Sequence, residues 1–189
     1  DVQLAPGVNI ARTPLNGRNF EYMGEDPFLV SKIAVPYIKA IQDNGIAVCV
    51  KHFALNNQEY QRDTVNVEVS ERALREIYLP AFKAAVTEAG AWSVMGAYNK
   101  FRGQYCCHNN YLINDILKGE WKFDGAVISD WSGTKNAYEA AMNGLDIEMG
   151  TLKPYNEYYM LILSCILFVM AKYLWKNLTI RSDVFLNLI

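Results

Sequence analysis

Cysteine, histidine and net charge are all in short supply in this sequence. Four cysteines in 189 residues are too few for a disulfide scaffold, and Cys49, Cys106, Cys107 and Cys165 lack zinc-type spacing. Two histidines, His52 and His108, leave little for a histidine-rich centre, so no metal is expected. A formal net charge of −2 provides no broad basic footprint, so nucleic acid is not an expected partner. There is no Walker A loop and no GxGxxG, so a nucleotide cofactor has no support and none of any kind is expected. Without a GxSxG elbow, a Ser-His-Asp hydrolase reading fails as well. Cys106 and Cys107 stand beside His108, but nothing nearby lowers a thiol pKa enough to support a thiol site. No basic stretch followed by an apolar one opens the chain at Asp1. The compartment is therefore left open, with the cytoplasm slightly favoured.

Hydrophobic residues make up 51% and charged residues 20%, which is the composition of a chain with a real core. That average hides two unlike parts. All 12 glycines lie in residues 1–150, where 14 Lys+Arg face 18 Asp+Glu. Residues 151–189 hold four basic and two acidic residues, and Tyr158–Ala171 reads YYMLILSCILFVMA. A membrane helix needs about 20 apolar residues, and this run is shorter before Lys172. A buried element of the same fold is the competing reading. The abrupt change in composition favours a third: residues 151–189 are expected to be a hydrophobic tail foreign to the rest, through frameshift or truncation, or else membrane-associated.

The first 150 residues alternate short apolar runs with amphipathic stretches. VNIA (Val8–Ala11) reads as a strand. Asp26 then caps a helix with Pro27 at its first position, and Val30, Ile33, Ala34, Tyr37, Ile38 and Ile41 keep helical spacing up to Asn44-Gly45. Ile46–Phe53 is the near-continuous apolar run of a buried parallel strand. Ser70 caps a second helix that Pro80 interrupts and Ala89-Gly90 closes. Trp92–Asn99 is the next strand, and Asn109 or Asn110 starts the helix containing Leu112, Ile113, Ile116 and Leu117. Gly125–Trp131 is the following strand, Lys135–Asn143 the following helix, and Asp146–Met149 the start of another element. Strands alternating with helices predict an α/β fold with a parallel sheet, either open and doubly wound or part of a (β/α)8 barrel. A barrel takes about 250 residues, so only part of one fits.

Polar groups gather where this map puts the carboxyl ends of the strands. Lys51-His52 end one strand, Tyr98-Asn99 another and Asp130-Trp131 a third, while Arg18 follows the first. Active sites of such folds are built there. A carboxylate at Asp130 beside the aromatic Trp131 suits a sugar ring; the alternatives are an N-cap or an ion pair. Lys51 and His52 could bind hydroxyls or anions, or form a buried structural pair. Arg18 has Glu21, Glu25 and Asp26 as possible partners, Arg62 has Glu59 and Asp63, and Met95 and Tyr98 could belong to the core.

GRNFEYMGEDP (Gly17–Pro27), VKHFALNNQEYQR (Val50–Arg62), VMGAYNKFRG (Val94–Gly103) and VISDW (Val127–Trp131) resemble, in order, the N-terminal barrel domain of glycoside hydrolase family 3. This is the β-glucosidase family, and the likeness is to its bacterial branch. It implies a partial (β/α)8 TIM-type barrel over residues 1–150 and a retaining hydrolysis of nonreducing-end β-D-glucosides. By the same resemblance Asp130 is the nucleophile. Arg18, Lys51, His52 and Arg62 hold sugar hydroxyls, Tyr98 lies close to Asp130, and Met95 and Trp131 shape the pocket. The nearby cations are expected to keep Asp130 ionised.

In this family the first barrel strands supply another sugar-binding aspartate, and they would precede Asp1. The acid/base glutamate comes from an α/β-sandwich domain after the barrel, so that domain is an expected partner alongside a β-glucoside or oligosaccharide. The N-acetylhexosaminidase branch uses a His–Asp dyad on a barrel loop, and the loop ALNNQEYQRDT here has no histidine. A β-xylosidase or arabinosidase of the same family is the alternative. An inactive truncated or membrane-tethered product is the alternative of another class.

Overall fold

The computed structural model describes residues 1–150. The expectations for residues 151–189, including the candidate membrane segment, lie outside the described residues. Within the described part no helix is long and apolar enough to cross a membrane.

Four parallel strands form the main sheet: β1 (Val2–Gln3), β2 (Ala47–Phe53), β4 (Ser93–Gly96) and β7 (Ala126–Ile128). Val50 pairs with Val94, and Val94 with Val127. An isolated parallel bridge joins Ile128 to Ile147. The spatial order follows the chain order without reversal. A doubly wound sheet reverses at a switch point, whereas a barrel adds each strand on the same side, so this is an arc of a barrel.

Each strand presents alternate residues to two faces. Val48, Val50, Val94 and Val127 pack into the main core beneath the helices. Cys49, Met95 and Ile128 form a separate cluster on the other face, with Leu4 and Met149 against it. Phe53 anchors the helical side, meeting Phe82 edge-on at 5.2 Å and Trp121 at 5.9 Å.

Helix α1 (Pro27–Gln42) forms as its sequence predicts. The Asp26 carboxylate accepts the Leu29 N–H at 2.7 Å, and Val30, Ala34 and Ile38 bury one stripe. Gly45 ends the turn at φ +76, a conformation that a side chain resists. The second helix is continuous only in outline. α2 (Glu71–Ala73), capped by Ser70, leads through a wider π segment, Leu74–Tyr78, into α3 (Pro80–Thr87). Pro80 has no N–H and its ring crowds the preceding turn, and the Leu79 N–H reaching back to Leu74 accommodates it. A second π segment, Tyr111–Glu120, is capped by Asn109, whose Oδ1 accepts the Leu112 N–H at 3.0 Å. α4 (Ala137–Met142) starts at an Asn136 cap, one residue inside the expected bound.

Two features differ from the sequence reading. Val8–Ala11 is buried and extended but is not a strand; the strand lies earlier, at Val2–Gln3. The expected segment carries the chain past the sheet's carboxyl edge, with Gly7 bridging both Lys51 and Tyr22. Buried extended backbone has a strand's composition whether or not it pairs. The second difference is a small sheet of two-residue strands, β3 (Asn66–Val67), β5 (Lys100–Phe101) and β6 (Gln104–Tyr105). Arg102 and Gly103, both at positive φ, form the tight turn of its hairpin.

Candidate active site at the carboxyl ends of the strands

Asp130 lies just beyond β7, after Ser129, and is 4% exposed. Its Oδ1 accepts the Trp131 N–H at 2.8 Å, whereas Oδ2 accepts no hydrogen bond among the described residues. His52 Nε2 lies 3.7 Å from Oδ2, too long for a hydrogen bond. One oxygen is held and the other has its lone pairs free.

Burial pushes the Asp130 carboxyl up, and it outweighs the Tyr98 hydroxyl, the Trp131 N–H and the positive charges of Arg18 and Arg62, all of which pull it down. The cations limit the rise without reversing it. Burial and then the Asp130 charge push the Tyr98 phenol up, so Tyr98 stays protonated. Its hydroxyl is a donor beside the carboxylate.

His52 ends β2 and is 1% exposed. Asn9 clamps its backbone on both sides, donating to the His52 carbonyl at 2.9 Å and accepting its N–H at 2.7 Å. Its Nδ1 lies 3.3 Å from the Tyr22 hydroxyl, which Asn56 also contacts. Burial, with the charges of Arg18, Lys51 and Arg62, pushes the imidazole down to about 2, so it is neutral. The Tyr22 hydroxyl also reaches the Asn56 carbonyl at 3.3 Å, and His52 Nε2 faces Asp130.

The cations come with carboxylates. Glu21 sits between Arg18 and Lys51, bonding Arg18 Nε through one oxygen and lying 3.0 Å from Lys51 Nζ through the other. Burial alone would raise Glu21, but Lys51 and Arg18 overcome it and hold the carboxyl below its usual range. Glu59 bonds Arg62, whose guanidinium also stacks over the Tyr98 ring at 4.4 Å. These pairings agree with one of the alternatives left open for Arg18 and Arg62. They do not remove either residue from the site, because both still act on the charge of Asp130.

Arg18, Lys51, His52, Arg62, Tyr98 and Asp130 are thus drawn together from four chain segments. Trp131 stands at the rim, 48% exposed. Met95 is placed differently: it is buried beside Cys49 and Ile128 in the cluster on the sheet's far face, a floor for the site. Cys106 and Cys107 are buried, and burial pushes the Cys106 thiol up to about 12 and Cys107 higher still, so neither offers a thiolate. Tyr22, Asn9 and Asn56 were not identified from the sequence. Tyr22 and Asn56 lie inside the Gly17–Pro27 and Val50–Arg62 motifs and Asn9 outside them, and no periodicity marks any of the three, although an i, i+3 spacing pairs Arg18 with Glu21.

The profile of the Glycosyl hydrolase family 3 N terminal domain matches residues 1–162. A β-glucosidase of Bacteroides ovatus is 67% identical over 151 residues, 80% of this chain and 20% of its own length. An exo-α-(1→6)-L-arabinopyranosidase of Bifidobacterium longum is 45% identical, over 78% of this chain and 20% of its own. The solved structure of β-glucosidase 3B from Thermotoga neapolitana in complex with glucose superposes with a TM-score of 0.82 at 45% identity, over 87% of this chain and 24% of that one. The chain therefore spans about a fifth of the length of the curated relatives it matches. On the profile match, the ordered motifs and the barrel arc, the chain belongs to glycosyl hydrolase family 3, within its N-terminal domain.

Proposed function

We propose that this chain supplies the nucleophile half of a retaining β-glucosidase site that removes nonreducing-end β-D-glucosyl residues. The observation that carries the proposal is the unbonded Oδ2 of Asp130, buried at a strand end beneath paired cations. In a retaining reaction this oxygen attacks the anomeric carbon as the leaving oxygen departs, giving a covalent glycosyl–enzyme that water then hydrolyses. The Trp131 N–H holds the other oxygen and so orients the attack. Arg18, Lys51 and Arg62, kept in place by Glu21 and Glu59, donate charge-assisted hydrogen bonds to sugar hydroxyls. Neutral His52 donates from Nε2 without adding charge next to the nucleophile.

Protonating the leaving oxygen requires a second carboxyl group about 5–5.5 Å from the first. In this proposal a C-terminal sandwich domain supplies it as a glutamate. A 2,4-dinitrophenyl β-D-glucoside needs no such proton, because its leaving group is already a weak base. This chain should release a burst of dinitrophenolate close to one equivalent, and Asp130→Asn should release none. An equal burst from Asp130→Asn refutes the assignment. Similarity to the Bifidobacterium arabinopyranosidase supports a second reading, an arabinoside substrate. A larger burst from the α-L-arabinopyranoside than from the β-glucoside would favour it.

A further inference from the structure

The nucleophile loop is braced from behind by a histidine that the mechanism does not use. His108 ends the turn Cys106–His108 and is 1% exposed. Its Nδ1 lies 3.0 Å from Glu139 Oε2, and its Nε2 accepts the Lys135 N–H at 3.4 Å. Its carbonyl accepts from Asn143 Nδ2 at 2.9 Å. One side chain thus ties the turn to the far end of the loop that starts at Asp130, and through Glu139 to α4.

Cys107 fills the space between. A Cβ added at Gly133 would stand 2.5 Å from Cys107 Sγ, and one added at Gly96 would stand 2.7 Å from Cys107 Cα. The turn is therefore wedged between the end of β4 and the loop. The loop itself holds Ser132 at φ 60, an unfavourable conformation for a residue with a side chain, and the Gly133 N–H closes back on the Asp130 carbonyl at 2.9 Å. A turn of this kind keeps one shape only when its surroundings over-determine it.

We propose that His108 is a positioning residue for the nucleophile: as a neutral imidazole it accepts at Nε2 from the Lys135 N–H and sets Nδ1 against the Glu139 carboxylate, fixing the loop Asp130–Lys135. The proposal rests on the reading of Asp130 as nucleophile. A charged ring has no acceptor for the Lys135 N–H, so the arrangement needs the neutral form. Burial pushes His108 down; Glu139 opposes that shift and the Lys135 charge adds to it, with the net direction downward. The Tyr105 ring, 5.8 Å away, completes its surroundings.

The test uses this chain with two readouts. Hydrogen exchange follows the amides of Trp131–Lys135, and 2-deoxy-2-fluoro-β-D-glucosyl fluoride measures the labelling rate at Asp130. His108→Ala should speed exchange across Trp131–Lys135 by about 10-fold or more and slow labelling by a similar factor, with the β2 amides unchanged. His108→Gln, whose oxygen can take the Nε2 place, should recover most of both. Glu139→Gln, a change at a half-exposed side chain, should loosen the same amides to a lesser degree, and it decides the matter if His108→Ala does not fold. Unchanged exchange at Trp131–Lys135 in either variant overturns the proposal, as does labelling at the unmodified rate in a loosened loop. If the unmodified chain is labelled away from Asp130, the nucleophile reading fails, and the exchange data still decide whether His108 fixes the loop.

Discussion

Replacing Glu21 by Gln should weaken sugar binding about tenfold while leaving the chemistry at Asp130 nearly intact. Glu21 keeps its shape in this change but loses its charge. Its two oxygens now hold Arg18 Nε and Lys51 Nζ, the latter at 3.0 Å, with side chains only 15–20% exposed. At that separation and an effective dielectric of about 20, each charge pair is worth roughly 5 kcal/mol in gross Coulomb energy, most of it cancelled by desolvation. In the variant the two cations repel each other without a shared counter-charge, and their side chains swing toward solvent. Each charge-assisted hydrogen bond they would give a sugar is worth about 1.5–3 kcal/mol, and losing roughly half of one costs about 1.4 kcal/mol, or tenfold. Labelling by 2-deoxy-2-fluoro-β-D-glucosyl fluoride over a range of concentrations separates binding from chemistry. The dissociation constant should rise about tenfold and the limiting rate should change by less than about threefold. A binding constant within about twofold of the unmodified chain would refute the claim that Glu21 holds the two cations for substrate.

Three further outcomes follow from the same geometry. Burial raises the folded-state pKa of Asp130 above its unfolded value, so the ionised carboxylate destabilises the fold and stability falls as pH rises through that window. Asp130→Asn should therefore raise Tm at pH 7 while abolishing labelling; a lower Tm by calorimetry would contradict this. His52 is shifted the other way, from near 6.5 down to about 2, so its contribution is complete above the unfolded pKa and is lost as pH falls below it. Its ring should still be neutral by 15N NMR at about pH 5, where urea denaturation should show about 2 kcal/mol less stability than at pH 6.5. Phe82→Ala removes a fully buried ring that packs edge-on against Phe53, and should cost about 3–5 kcal/mol in denaturant titrations; a loss under about 1 kcal/mol would mean that the core is not packed around that pair.

Most of what positions the site was legible in the sequence, because the signals were local and chemically specific. Asp26 capping α1 with Pro27 at its start, and Ser70 capping α2, are set by side chains within three residues of the backbone they satisfy. The run ending in Lys51-His52 and the run ending in Asp130 read as buried parallel strands and form β2 and β7. The alternation of strands and helices left an open sheet and a barrel arc undecided, since strand order is a long-range property, and the family resemblance chose the barrel. The β3–β5–β6 sheet was missed because two-residue strands are too short to show a period, although Arg102-Gly103 carries the turn signal. The widening of the helix before Pro80 was foreseen only as an interruption. At the site, charge and motif position drew attention to the cations and to Asp130. Tyr22, Asn9 and Asn56 act through contacts 30 to 43 residues apart in sequence, which no spacing rule reveals.

Covalent trapping tests the role of Asp130 most directly. This chain, treated with 2-deoxy-2-fluoro-β-D-glucosyl fluoride and digested for peptide mass mapping, should carry the added fluoroglucosyl mass on the peptide containing Val127–Trp131, with fragmentation placing it on Asp130. The label should be absent from Asp130→Asn. Label on any other carboxylate of the unmodified chain, or on the same peptide of Asp130→Asn, would contradict the assignment of Asp130 as the nucleophile.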